Sequence, residues 1–170
     1  MKFVSITIAA ICNDNYGPGS WACILRHGEY SSELVGGSPC ATKRTMELQA
    51  VIAGLQALRE PCHVFLNSDN ECLLNGIPFR PDEWRLAEFA QIWKRLPDRL
   101  PDRDLWQKLD MIGSKHRIQR VYITGTYFHP DKARCDKLAE VHAAQFLGVS
   151  SLAALLDQIN AHATRACAAC

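Results

Sequence analysis

Hydrophobic residues follow a helical repeat between positions 42 and 58 of the chain. Leu48, Ile52, Leu55 and Leu58 recur every three or four positions, a spacing that predicts a helix with one face against a core. The other faces of this segment carry mostly alanine, which lets a sheet or a second helix approach closely. We therefore expect a buried helix at the centre of the fold.

Short apolar runs rich in β-branched residues indicate strands at five places. The predicted strands are residues 3–12, 20–27, 30–37, 62–67 and 120–124. Further helices are predicted from about 71 to 76, over 104–111, over 130–147 and over 150–166. Three strands followed by alternating helices and strands are typical of an α/β fold, a mixed sheet with flanking helices. The length of 170 residues fits one domain, which we place at 1–148, with a C-terminal helical extension at 149–170.

Composition narrows the classes of partner and compartment. The 19 Lys and Arg residues nearly balance the 18 Asp and Glu residues, so a nucleic acid would have to be bound by a local basic patch. Several of the 8 cysteines lie within apolar runs, where a free thiol behaves as a small hydrophobe. We therefore expect no disulfide framework and a reducing, cytoplasmic location. No apolar stretch reaches the roughly 18 residues that span a membrane, and the first residues favour a strand over a signal peptide.

Three acidic residues lie near the ends of predicted elements. Asp69 follows the strand at 62–67, Asp136 lies in the first turns of the helix at 130–147, and Glu47 lies near the start of the central helix. Because ligand sites of α/β sheets gather at strand ends, the three carboxylates could converge on Mg²⁺, which prefers oxygen ligands. For Glu47 a second interpretation stays open, that of a solvent-exposed charge favoured by the helix dipole.

Several short motifs, in order along residues 3–146, resemble ribonuclease H of the bacterial type. They are Gly17-Pro18-Gly19, Met46-Glu47-Leu48, Ser68-Asp69, His129-Pro130 and Arg134-Cys135-Asp136. The resemblance implies a five-stranded mixed sheet with helices on both sides. It also implies endonucleolytic hydrolysis of the RNA strand of RNA–DNA hybrids, with two Mg²⁺ or Mn²⁺ ions held by four carboxylates. The second, third and fourth carboxylates fall on Glu47, Asp69 and Asp136.

The first carboxylate of the family pattern is missing, because that position is Ala9. An alanine side chain cannot coordinate a metal, so we expect severely impaired cleavage with residual hybrid binding. Two explanations stay open, a deliberate exchange of aspartate for alanine and a natural pseudoenzyme. The competing functional hypothesis is a non-catalytic nucleic-acid-binding or protein-interaction module on the same fold.

The loop before the helix at 130–147 departs from the family as well. Thr126 stands where the resemblance implies a histidine that assists leaving-group protonation and product release, so turnover should be slower. His129 occupies the position of the second, less important histidine. We interpret His129 as a loop histidine beside a proline and not as a catalytic group.

The resemblance implies substrate contacts at Asn15, Thr42, Lys43, Arg44 and Asn70. Lys43 and Arg44 stand where family members often have asparagines, and they should add phosphate attraction and salt sensitivity. The family's basic protrusion corresponds to residues 78–103, which here mix six Arg and Lys with five Asp and Glu. We therefore expect weaker hybrid binding than in strongly basic relatives.

The end of the chain gives no separate function. Cys167 and Cys170 form a lone CxxC pair, which we interpret as a frayed helix end because a metal or redox site needs further ligands. We expect a monomer, with a dimer through the helix at 150–166 as the alternative.

Overall fold

The computed structural model describes residues 1–12, 17–77, 102–124 and 129–146. Its strands are β1 (Lys2–Cys12), β2 (Gly17–His27), β3 (Tyr30–Ala41), β4 (Cys62–Ser68) and β5 (Arg117–Tyr122). Its helices are α1 (Lys43–Gln56), α2 (Glu71–Gly76), α3 (Arg103–Gly113) and α4 (Pro130–Phe146). The predictions for Asn15, for Thr126, for most of the segment 78–103 and for the C-terminal extension lie outside the described residues.

The strands form one five-stranded sheet in the order β3-β2-β1-β4-β5. β1 pairs antiparallel with β2 and parallel with β4, and β4 pairs parallel with β5. The predicted mixed sheet is confirmed. This order places β1 at the centre and makes β1, β4 and β5 end at the same edge, which is where the predicted acids gather.

Side chains of β1 point alternately to the two faces of the sheet and contribute to two hydrophobic cores. Val4, Ile6 and Ile8 belong to the larger core, which also contains the buried residues of α1. Ala9 belongs to a smaller core with Cys135 and Ala139 of α4. Because successive side chains of a strand point to opposite faces, α1 and α4 cover opposite faces of the sheet, as predicted.

The predicted boundaries of three strands were wrong. β2 begins at Gly17 instead of residue 20. β3 continues to Ala41, and β5 begins at Arg117 and ends at Tyr122 instead of spanning 120–124. In β5 the buried Ile118 alternates with the exposed Arg117 and Gln119, so its first half lacks the continuous apolar run used to place it. Pairing with β4, from His63 opposite Arg117, determines the true start.

The central helix is buried as expected, and its start is fixed by local contacts. Thr42 is the N-cap residue of α1, and its hydroxyl accepts a hydrogen bond from the Thr45 backbone N–H at 3.1 Å. Gly19 of β2 lies against Met46, because a Cβ atom at position 19 would come within 2.8 Å of Met46 Cγ. The glycine thus lets β2 approach the first turn of α1, next to Glu47.

Two arginine–carboxylate pairs fasten α4 to the hairpin formed by β2 and β3. Arg26 of β2 donates two hydrogen bonds of 2.6 Å to Asp131, and Arg134 donates two of 2.9 and 3.0 Å to Glu33 of β3. Bidentate pairs of this kind fix orientation as well as distance. They set the position of Lys132 and Asp136, which lie on the same helix.

Asp131→Asn should lower the melting temperature by about 2 °C at neutral pH, since a partly exposed pair contributes little. The Arg26 hydrogen bonds lower the pKa of Asp131 below its usual value of 3.8. A carboxylate with a lowered pKa in the folded state stabilises the fold above its unfolded pKa, and this contribution is lost as the pH falls through the folded-state pKa. The difference between the parent and Asp131→Asn should therefore shrink as melting is followed from pH 7 to pH 3. A difference that grows towards low pH would contradict the assignment.

The six cysteines within the described residues form no disulfide bond with one another. In the same part of the chain, no helix combines the length and the apolar character needed to cross a membrane.

Candidate active site

β1 and β4 pair in parallel, and positions 9 and 69 both follow the last residues of that pairing. The parallel pairing of the two strands ends with Thr7 opposite Asn67. The buried Asn67 amide donates to Ser5 Oγ at 2.8 Å and to Thr7 Oγ1 at 3.2 Å. Ala9 and Asp69 each follow this last pair by two residues, so the register brings them to one edge.

Ala9 is buried in the small core between the sheet and α4. Its neighbours there include Ala22, Cys135 and Ala139. The Cys135 thiol donates to the Thr7 carbonyl oxygen at 3.2 Å, which holds α4 against β1 at this level. Position 9 therefore lies beside the turn of α4 that carries Asp136, but its methyl group offers neither charge nor hydrogen bond.

Glu47 is buried, with 2% of its surface exposed, so the interpretation as a solvent-exposed charge was wrong. It also lies beyond the first turn of α1, which holds no acidic residue. What holds it is Asn70, whose side-chain amide donates to Glu47 Oε2 at 2.6 Å. Burial raises the pKa of Glu47 above its usual value, although the Asn70 hydrogen bond and the charge of Lys43 oppose that rise.

Lys132 of α4 brings two of the predicted acids together. Its Nζ atom lies 3.2 Å from Asp69 Oδ2 and donates a short hydrogen bond to Asp136 Oδ1. The Lys132 side chain is 4% exposed, against 46% for Asp69 and 32% for Asp136. Burial acts to lower the pKa of Lys132, but the hydrogen bond and charge of Asp136, together with the charge of Asp69, outweigh it and raise that pKa. The ammonium group is therefore charged at neutral pH.

Comparison of the sequence with known proteins identifies the family of this chain. A family model for ribonuclease H matches residues 6–144. The ribonuclease H of Chlorobium phaeovibrioides is 38% identical over 141 residues, which cover 82% of this chain and 94% of that protein. The ribonuclease H of Xanthomonas euvesicatoria is 35% identical over 144 residues, or 84% of this chain and 93% of that protein. This chain belongs to the ribonuclease H family.

Solved structures of ribonucleases H share the fold at lower sequence identity. LC9-RNase H1, described as a type 1 RNase H with the type 2 active-site motif, has a TM-score of 0.68 at 17% identity and covers 85% of this chain and 73% of its own. The N-terminal RNase H domain of a Mycobacterium tuberculosis protein has a TM-score of 0.59 at 18% identity and covers 86% and 99%. These likenesses support the five-stranded ribonuclease H-like fold.

The carboxylates of this chain do not fit a two-metal centre. Among the residues that the structure describes, no group of three or more His, Cys, Asp or Glu side chains is arranged to hold a metal ion. Ala9 supplies no ligand, and one carboxylate oxygen each of Asp69 and Asp136 faces Lys132 Nζ. Mg²⁺ needs such oxygens at about 2.0–2.1 Å in near-octahedral order. The site as built holds an ammonium group instead.

Other predicted site residues have structural roles in this chain. Thr42 caps α1, and Asn70 caps α2 by accepting a hydrogen bond from the Leu73 N–H at 3.1 Å. His129 is half-buried, and its Nδ1 accepts a hydrogen bond from the Lys132 backbone N–H at 3.2 Å, which helps to start α4. Lys43 and Arg44 are exposed at the N-terminal end of α1. Their contacts with substrate stay predictions.

Sequence reasoning missed Lys132. A lysine four residues before an aspartate on a helix is most often a weak pair on a solvated face. The one available signal was the next turn, since Cys135 and Ala139 flank Asp136 with small apolar residues typical of a buried helix face.

Asn70→Ala is expected to lower the free energy of unfolding by about 2–3 kcal/mol, because it removes a helix cap and the donor to a buried carboxylate. Urea unfolding measures the change. Asn70→Ser is the matched control, since serine keeps the capping oxygen but is too short to reach Glu47, and it should be destabilised roughly half as much. Equal destabilisation in both variants would show that the contact with Glu47 contributes nothing.

Proposed function

We propose that this chain binds RNA–DNA hybrids and cleaves their RNA strand at a severely reduced rate, the family's hydrolysis being the activity from which it derives. The observation that carries this proposal is Ala9, a buried methyl group of β1 beside the turn of α4 that carries Asp136. A site for phosphodiester hydrolysis needs groups that stabilise the charge developing in the transition state. At position 9 the chain has none.

The remaining acids are proposed as the rest of the family's carboxylate set. Glu47, Asp69 and Asp136 converge on one edge of the sheet through Asn70 and Lys132. In a member with an acid at position 9, these groups would hold divalent ions such as Mg²⁺ or Mn²⁺, which supply the activated water and stabilise the leaving oxygen. In this chain, their oxygens bind the side chains of neighbouring elements.

Hybrid binding rests on groups outside that cluster. Lys43 and Arg44 are exposed at the end of α1 nearest Glu47, where they can meet phosphates, and the α1 N-terminus also favours an anion. Thr42, Asn70 and Asn15 complete the proposed contact surface. The small number of cations predicts moderate affinity with a shallow dependence on salt.

The test measures binding and cleavage separately. A labelled RNA–DNA hybrid and a DNA duplex of the same sequence are titrated with the chain, and cleavage of the hybrid is followed in Mg²⁺ and in Mn²⁺. We expect preferential hybrid binding and cleavage about 100-fold or more slower than that by the Chlorobium phaeovibrioides relative. Cleavage at the rate of the relative would contradict the proposed impairment of catalysis. Equal affinity for the hybrid and the DNA duplex would contradict the proposed hybrid binding.

Lys43→Gln combined with Arg44→Gln should weaken hybrid binding and reduce the slope of log affinity against log salt by about 2, roughly one for each phosphate-binding cation removed. The matched control is Arg59→Gln with Lys115→Gln, which removes the same charge from exposed positions near the opposite ends of α1 and β5. If both pairs change the slope equally, binding is a response to net charge and the proposed patch does not exist.

A further inference from the structure

The strongest unassigned feature of the molecule is the buried ammonium group of Lys132. Three carboxylates surround this region, and Lys132 contacts two of them. Burial raises the pKa of Glu47, and the charge of Lys132 is one of the influences that oppose this rise. Within the described residues, no buried side-chain nitrogen or oxygen lacks a hydrogen-bond partner. The fully buried polar atoms of this region are therefore paired within the protein.

The location of Lys132 argues against an incidental surface pair. A buried charge is costly unless it is paired and hydrogen-bonded. Lys132 spans two elements, since Asp136 lies one turn along α4 whereas Asp69 follows β4. Its backbone is also fixed, because the Lys132 N–H donates to the carbonyl oxygen and the ring of His129 at the start of α4. The ammonium group is thus aimed at the point where these acids meet.

We propose that the Lys132 ammonium is a built-in counterion that replaces a divalent metal ion at Asp69 and Asp136 and excludes Mg²⁺ and Mn²⁺ from them. The inference rests on the proposed function in treating these acids as the family's active-site carboxylates. A metal shared by Asp69 and Asp136 would lie next to Lys132 Nζ, and repulsion between the two cations disfavours its binding. Loss of the acid at position 9 and gain of the lysine then act in the same direction, because both reduce the negative charge available to a divalent ion.

Access does not explain the exclusion. A cleft of about 480 Å³ lies beside the end of β1 and is lined by Ala10, Ile11 and Asp136, among others. Asp69 is also half exposed. Solvent ions can therefore reach both carboxylates, and what keeps a metal out is the charge already present.

The experiment is a Mn²⁺ titration of the full chain without nucleic acid, in which free Mn²⁺ is measured by electron paramagnetic resonance. Line broadening of the Asp69 and Asp136 backbone amide signals reports the position of bound Mn²⁺. The variants are Lys132→Gln, which removes the charge, and Lys132→Arg, which keeps it. Lys137→Gln is the matched control, because Lys137 is exposed on the same helix.

We expect Lys132→Gln to bind Mn²⁺ at least about tenfold more tightly than the parent, Lys132→Arg and Lys137→Gln, with broadening at both aspartates. Equal affinity in the parent and Lys132→Gln would overturn the proposal, as would broadening at Asp69 and Asp136 in the parent at micromolar Mn²⁺. The parent measurement alone can overturn the proposal, even if Lys132→Gln does not fold, because broadening at both aspartates would show that Mn²⁺ binds beside Lys132. Because nucleic acid is absent, a failure of hybrid binding contradicts the proposed function and leaves this result unaffected.

Discussion

Ala9→Asp combined with Lys132→Gln is expected to cleave the RNA strand of a hybrid about 100- to 1,000-fold faster than the parent chain, in the presence of Mg²⁺ or Mn²⁺. The double change supplies the missing carboxylate at the end of β1 and frees the oxygens of Asp69 and Asp136 from their internal cation. Glu47 is already in place beside them through Asn70. The four acids of the family pattern would then face one another without a competing ammonium group.

Each single change should achieve much less. Ala9→Asp alone leaves Lys132 between Asp69 and Asp136 and adds a further acid for it to pair with. Lys132→Gln alone opens the two aspartates, but position 9 still has no oxygen. We therefore expect non-additive rates, in which the double variant exceeds the product of the two single effects, as is usual for groups that act as a unit.

The measurement is single-turnover cleavage of a labelled hybrid by the parent, both single variants and the double variant. Asp69→Asn in the double-variant background is the control for contaminating nucleases, and it should return the rate to the parent level. If the double variant folds and binds hybrid but does not cleave it, then the impairment arises elsewhere, and our account of position 9 and Lys132 is wrong.

Gly54→Val is expected to lower the free energy of unfolding by about 3 kcal/mol, the upper end of the usual range for overpacking a core. Gly54 lies on the buried face of α1, where an added Cβ would come within 2.8 Å of Cys23 Sγ and 3.0 Å of Ile6 Cγ2. Cys23 and Ile6 are fully buried. Valine therefore forces α1 away from the sheet, and Glu47 moves with the helix.

A cycle of variants isolates this contact. Gly54→Ala gains about 1 kcal/mol of helix propensity, but its Cβ atom still contacts Cys23. The free energy of unfolding should therefore stay nearly unchanged or decrease. Cys23→Ala removes the sulfur atom that the new Cβ meets, and the pair should be coupled by about 1 kcal/mol or more in urea unfolding. Additive effects would mean that the sulfur atom is not what opposes a side chain at position 54.

Most of the fold could be predicted from the sequence because its elements have strong local patterns. The apolar runs of β1 and β4 and the helical repeat of α1 correspond to residues that are buried in the core. The sequence pattern of these elements therefore matches their burial. The start of β5 was predicted too late because β5 is an edge strand whose first half is partly exposed. Its start is determined by the pairing of Arg117 with His63 and not by its own composition. Long-range pairing of that kind leaves no local pattern.

The sequence indicated which acidic residues to consider, but not how buried they are or which side chains they contact. Element ends singled out Asp69, Asp136 and Glu47, and the resemblance gave all three a shared role. The hydrogen bond that Glu47 accepts nevertheless comes from Asn70, a residue 23 positions away. Lys132 was missed for a related reason. Its contact with Asp136 is local, but its burial and its contact with Asp69 arise only when α4 docks on the sheet.

The positive charge between Asp69 and Asp136 is covalently part of the polypeptide. It is present in every copy from the moment of translation, and its abundance does not follow the ionic composition of the cell. A chelator cannot remove it, and magnesium starvation leaves it in place. Docking of α4 on the sheet therefore brings this charge to both aspartates together with the helix.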